Sequence, residues 1–170
     1  MVLDDTEIAQ VARVVASMPG LYRAPTKKPR VAWEKSLVRE WTTRKYPNSL
    51  QWANVRVGEI DDPEQTGQYK FLRKWCDAVV YDGERTMIVE AKMIAQVAAI
   101  SQLTLYCRLF PKTPEFEALK GEPTIGLLLS ARYDPDVEEM CKDAGHIYEV
   151  YVPSFMEEFE RVLAETKRRH

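Results

Sequence analysis

Apolar and polar positions repeat along this chain with two different periods, and the switches between them mark its elements. From Ala32 to Tyr46 the residues Trp33, Leu37, Val38 and Trp41 recur at helical spacing, and Pro47 and Asn48 close the run. "LQWANVRV" then alternates like a strand, and a polar, turn-rich stretch from Gly58 to Tyr69 separates it from the next apolar run. "CDAVVYDGERTMIVEAK", residues Cys76 to Lys92, reads as two strands joined by Asp82-Gly83. A helix near Gln96 to Phe110 is nearly free of charge in its interior and requires cover, and "PTIGLLLSA" after it reads as a strand buried on both faces. Asp134 caps a helix that runs to Ala144 and stops at Gly145, "HIYEVYV" is another strand, and Ser154 caps a final amphipathic helix leading into "KRRH". Ahead of all these, Asp5 to Ser17 predicts a first helix stopped by "MPG", followed by the proline-containing basic loop "RAPTKKPR".

The resulting order is α, α, β, β, β, α, β, α, β, α. Strands grouped early and then alternating with helices predict an α/β protein, a mixed central sheet flanked by helices, with extra helices at both ends. At 170 residues the chain has the length of one domain, and no repeat divides it.

Composition excludes several classes. Hydrophobic residues make up 45% and charged residues 29%, as in soluble globular proteins, and the apolar runs are too short to span a bilayer. "MVLDDTEIAQ" lacks the positive flank and apolar core of a secretory signal, so the expected compartment is the cytoplasm. Cys76, Cys107 and Cys141 are odd in number and scattered, which argues against a disulfide framework or a zinc or iron-sulfur site. No Ser-His-Asp arrangement, Gly-rich phosphate loop or Walker motif is present, and His146 has no partner pattern.

The net charge of −2 conceals an asymmetry. Between Arg23 and Lys74 stand twelve Lys/Arg against six Asp/Glu, whereas the rest carries twelve against twenty. A basic region forming one wall of a cleft would attract phosphates despite the acidic whole.

The hairpin carries the candidate chemistry. With Asp82 and Gly83 as a two-residue type I′ loop, Tyr81 faces Glu84 and Asp77 falls opposite Ile88. Alternation then puts Ile88, Glu90 and Lys92 on the face of Asp77, with the two carboxylates as diagonal neighbours. A four-residue loop places Asp77 directly opposite Glu90 and keeps the three together; a three-residue loop separates them unless a bulge restores the parity. Unpaired charges on an apolar hairpin cost several kcal/mol unless compensated, on the order of the burial penalty for an ion. Hard oxygen ligands without His or Cys suit Mg²⁺ or Mn²⁺, and Lys92 would orient or help deprotonate an attacking water and offset charge on a phosphate.

Asp77, twelve intervening residues, and then "EAK" with Glu90 and Lys92, on adjacent strands before a helix, resemble the PD-(D/E)XK nuclease superfamily. Cys76 stands where the family usually has Pro. The resemblance implies an αβββαβ core of the restriction-endonuclease type between about Ala32 and Ala131, metal binding by Asp77 and Glu90, and action of Lys92 on the nucleophilic water. Gln102 and Tyr106, four apart in "SQLTLY", are similar to the Q-x-x-x-Y element of the RecB-like branch, which implies a role in positioning DNA. Family members often add an acidic metal ligand from the helix before the hairpin; Glu34 lies within the apolar stripe and Glu40 off it, and Glu59 is a second candidate. The implied protein is a Mg²⁺- or Mn²⁺-dependent deoxyribonuclease with DNA as partner, and a homodimer is compatible because paired cuts need paired sites. The alternative is a nuclease-fold structural or interaction component of a larger assembly, such as a virus particle or a repair complex, with a vestigial site.

Overall fold

The computed structural model of the chain describes residues 32–59 and 73–168. The expected first helix, the basic loop 23–30 and residues 60–69 of the turn-rich stretch lie outside them. Helix α1 spans Trp33–Lys45, followed by strands β1 (Leu50–Val57), β2 (Lys74–Tyr81) and β3 (Thr86–Lys92). Helix α2 (Val97–Leu109) continues into short 3-10 turns at Phe110–Lys112 and Pro114–Leu119. Strand β4 (Thr124–Ser130), helix α3 (Pro135–Asp143), strand β5 (Ile147–Val150) and helix α4 (Met156–Arg168) complete the described residues. The αβββαβ order therefore occupies Trp33 to Ser130, as the hydrophobic pattern predicts.

The five strands form one mixed sheet in the order β1-β2-β3-β4-β5, antiparallel across β1, β2 and β3 and parallel across β3, β4 and β5. A parallel step from β3 to β4 needs a crossover, and α2 supplies it. Each face of the sheet buries its own core. On one side Leu37, Val38 and Trp41 of α1 and Phe159 of α4 pack on Ala78, Val80, Met87, Val89, Leu127 and Leu129. On the other, Ile100, Leu103 and Tyr106 of α2, with Phe110, Phe116 and Val137, cover Val55, Val79, Ile88 and Leu128. Strand β4 contributes to both cores, which is why its sequence is a continuous apolar run. Each fully buried aliphatic side chain is worth about 1.5–3 kcal/mol, so these two layers dominate the stability.

Close packing on the α2 side depends on Gly126 in β4. A Cβ built there would lie 2.5 Å from His146 Nδ1 and 2.8 Å from Leu103 Cγ, closer than any side chain tolerates. His146 Nε2 shares a 2.8 Å hydrogen bond with Thr104 Oγ1, so this histidine, just before β5, ties the strand's start to α2. At the far end of β1 and β2, Arg73 makes a bidentate pair with Glu115 at 2.6 and 2.8 Å and donates to the Arg56 carbonyl at 2.7 Å, anchoring the strands to the 3-10 turns.

Two sequence expectations are corrected. Asp134 does cap α3, accepting the N–H groups of Asp136 and Val137. Ser154, however, donates its hydroxyl to Glu40 Oε2 at 2.7 Å, and α4 begins only at Met156. The hairpin loop is not the two-residue type: Tyr81 pairs with Thr86, leaving Asp82 to Arg85 as a four-residue loop. The Asp82 carboxylate accepts the N–H groups of Glu84 and Arg85 at 3.0 and 2.9 Å, and this local satisfaction competes with the tighter turn.

Candidate active site

The four-residue loop fixes the hairpin register from Tyr81↔Thr86 to Ala78↔Val89, where regular pairing stops. The next residues on either strand are Asp77 and Glu90. Beyond this point the Asp77 side chain substitutes for a backbone acceptor: Oδ2 accepts the Ala91 N–H at 2.8 Å. Ala91 lies between Glu90 and Lys92, so the carboxylate of β2 is pinned to the stretch of β3 that bears the other two charges.

The strands also change facing here. Cys76 packs in the same core as Val79 and Tyr81, although simple alternation would send it to the other side. Strand β1 behaves alike: Leu50 and Trp52 pack with Val55 and Val57. The slip falls where Asn54 and Asp77 lie opposite each other, between the pairs Ala53↔Ala78 and Val55↔Cys76. Asn54 takes a left-handed φ of 51°, a conformation Asn tolerates better than most residues. Asp77 thus stands at a break in the pleat, half-buried, and its carboxylate reaches across to β3 in place of pointing squarely to either face.

Glu90 is 4% exposed, and its Oε1 accepts from Lys92 Nζ, whose side chain is one-third exposed. Burial pushes the Glu90 carboxyl above its ordinary value, and the Asp77 charge adds to the rise, while Lys92 opposes it. Asp77 is raised as well, chiefly by desolvation, against the lowering effect of its bond from Ala91 and of the Lys92 charge. Two carboxylates held at one spot, both resisting ionisation, form a site that gains from an added cation. Asp77 Oδ1 and Glu90 Oε2 make no hydrogen bond to the described residues, and these two oxygens, with no His or Cys beside them, fit a hard divalent ion that takes its other ligands from water and phosphate. Among the described residues no group of three or more His, Cys, Asp or Glu is gathered closely enough to hold a metal.

Glu34 sits in the first turn of α1, half-buried, and its charge acts on both Asp77 and Glu90. Tyr106 is buried against the same pair from the α2 side: desolvation, followed by the Glu90 and Asp77 charges, pushes its phenol up to about 12. Gln102, one turn earlier on α2, is exposed. Glu40 is occupied structurally, accepting from Ser154 N and Oγ and from Tyr151 Oη. Glu59 pairs with Lys112 at 2.7 Å, just past the end of β1.

The described part of the basic region from Arg23 to Lys74, expected as a candidate cleft wall, does border a cleft of about 340 Å³ beside this constellation, lined by Lys35, Val38, Arg39 and Thr42 of α1, Gln51 and Asn54 of β1, and Asp77. Sequence reading did not single out Lys35, Arg39, Gln51 or Asn54. The available signal was the Lys35/Arg39 pair at i, i+4 on the helix that also carries Glu34.

No family model matches the sequence, and no curated protein matches it. Among solved structures it is similar to a repair endonuclease from Pyrococcus abyssi, with 12% identity and a TM-score of 0.41 over 77% of this chain and 50% of that one. It is also similar to EndoMS in a complex with double-stranded DNA, with 12% identity and a TM-score of 0.44 over 77% of this chain and 49% of that one. A third, protein VC1899 from Vibrio cholerae, is 15% identical with a TM-score of 0.42 over 77% of this chain and 31% of that one. This chain spans half or less of each.

Proposed function

We propose that the chain is a divalent-metal-dependent nuclease of the PD-(D/E)XK type that hydrolyses phosphodiester bonds in DNA. The observation that carries this reading is the join between Asp77 and Ala91, which fixes one carboxylate beside a buried second carboxylate and a part-exposed ammonium at the open end of a rigid hairpin. Asp77 and Glu90 would hold the Mg²⁺ or Mn²⁺ ion, and Glu34 on α1 adds negative charge near them without standing close enough to complete a three-carboxylate cluster. When bound, such an ion lowers the pKa of water and offsets negative charge on the attacked phosphate. Lys92 orients the attacking water through Nζ and adds a positive charge beside the phosphorus. Water oxygen bonds to phosphorus, the bond to the leaving oxygen breaks, and the water proton passes to solvent or to that oxygen. Tyr106 closes the α2 side of the site as a neutral phenol, and Gln102, exposed on the same helix, positions the strand.

The test is incubation of the purified chain with plasmid and linear DNA in Mg²⁺, Mn²⁺ or EDTA. Cleavage with metal and none with EDTA is expected, and it disappears in Asp77→Ala. A folded protein that cuts neither substrate with either metal overturns the nuclease reading in favour of an interaction component.

A further inference from the structure

About half of the basic side chains among the described residues are held by carboxylates: Arg44, Lys45, Arg73, Arg85, Lys92, Lys112, Lys120, Arg132 and Lys142 lie in ion pairs. Lys35 and Arg39 lie outside these pairs, as do the exposed Lys74, Arg108, Arg161, Lys167 and Arg168, and their place in the fold sets them apart. Both are exposed, neither has an ion-pair partner among the described residues, and both line the cleft that ends on Asp77. They stand one helical turn apart, so their Cβ atoms are about 5–6 Å from each other, of the order of the spacing between neighbouring phosphates on a strand. The opposite wall offers the amides of Gln51 and Asn54 on β1, and Gln51 is turned back onto the Tyr46 carbonyl, leaving Asn54 as the amide nearest the break in the pleat. At about 340 Å³, between helix α1 and strand β1, the cleft has room for the backbone of one strand and not of two.

We propose that this cleft takes the sugar-phosphate backbone of a single DNA strand, with successive phosphates on Lys35 and Arg39 and the chain leading to Asp77. The assignment rests on the nuclease reading for its substrate, and it adds the path and the strandedness. Lys35 and Arg39 are positioning residues that touch phosphates away from the reacting one. Their exposure means that removing them leaves the core intact.

Binding in EDTA separates this assignment from catalysis. Affinity for a short labelled oligonucleotide, single-stranded or duplex, is measured by fluorescence anisotropy over a range of salt for the wild type, Lys35→Ala/Arg39→Ala and Lys142→Ala. Each lost phosphate contact on a single strand removes about 0.7 from the slope of log K against log salt, so the double variant is expected to lose about 1.4. Lys142, exposed on α3, is expected to leave the slope unchanged. An unaltered slope in the double variant, no measurable binding by the wild type, an equal loss in Lys142→Ala, or a loss confined to duplex DNA overturns the assignment. If the slope falls as expected and no metal supports cleavage, the cleft stands and the nuclease reading fails; cleavage with an untouched slope does the reverse.

Discussion

The two ends of the β2–β3 hairpin are built from the same strands and do opposite things. Toward the loop, four successive pairs from Ala78↔Val89 to Tyr81↔Thr86 are regular, and every side chain in them is buried and either apolar or, in Thr86, uncharged. At the other end the ladder stops, the pleat changes facing, and the Asp77 carboxylate serves the Ala91 N–H. The regular end stabilises, since its residues sit in both cores. The irregular end costs stability, because Glu90 is buried and both carboxylates are desolvated. A hairpin that is well fixed at one end can hold charges in place at the other, which a loop would not do.

Exchanging side chains at the two ends gives the largest contrast. Lys92→Ala and Glu90→Ala are expected to slow metal-dependent DNA cleavage by at least about 100-fold, as for loss of a group that stabilises charge in the transition state. Neither should unfold the chain: without metal at neutral pH Glu90→Ala removes a desolvated carboxylate and should not lower the urea midpoint, whereas Lys92→Ala leaves that carboxylate without its ammonium and should lower it. Ile88→Ala, at the regular end, is expected to cost about 2–5 kcal/mol in urea unfolding while the folded fraction cleaves normally. If Glu90→Ala unfolds the chain, or Ile88→Ala abolishes cleavage by the folded fraction, the division between the ends is wrong.

A smaller effect follows from proton binding. Glu90 has a folded pKa raised above its ordinary 4.5, so between those two values the folded protein holds a proton that the unfolded chain has released. Stability from this group is present at low pH and is lost as pH rises through the raised value. Without metal, Glu90→Gln should therefore be more stable than the wild type at pH 7, and the gap should close as pH falls toward 4.5. Thermal melts in EDTA across that range check it, and a gap constant with pH would remove burial as the cause.

The smallest expected change concerns the break itself. Asn54→Ala places a residue less tolerant of left-handed backbone at φ 51° and should lower stability by about 1 kcal/mol, whereas Asn54→Gly should stay within a few tenths. Equal costs for the two in denaturant titrations would show that the Asn side chain, and not its backbone, matters there.

The element order was legible because the hydrophobic period carries it, and the nearness of Asp77 to Glu90 and Lys92 because strand adjacency does, whereas the shared face argued from alternation was not, since the pleat breaks at Asp77. The loop was not, because Asp-Gly fits a two-residue turn as well as a longer one, and only the Asp82 bonds to two following N–H groups decide between them. The change of facing left a partial trace. In "LQWANVRV" the apolar positions 50 and 52 resume at 55 and 57, one step out of phase, but the all-apolar "AVVY" of β2 hides the matching slip. The start of α4 was misplaced because Ser154 has two uses for its hydroxyl, and the distant Glu40 claims it. Lys35 and Arg39 fell within the basic region Arg23 to Lys74 read as a candidate cleft wall, but the sequence did not single them out, since it does not show which cations line a cleft.

Gly126 carries a remote condition on all of this. The absence of a side chain there lets Leu103 and His146 settle over β4, and Tyr106, three residues beyond Leu103 on the same helix, rides with them. A methyl group at that point would lift the helix at its seat, tilting the phenol away from the carboxylates without altering Asp77, Glu90 or Lys92. The tolerance of the chemistry is thus set partly by a strand on which none of it occurs.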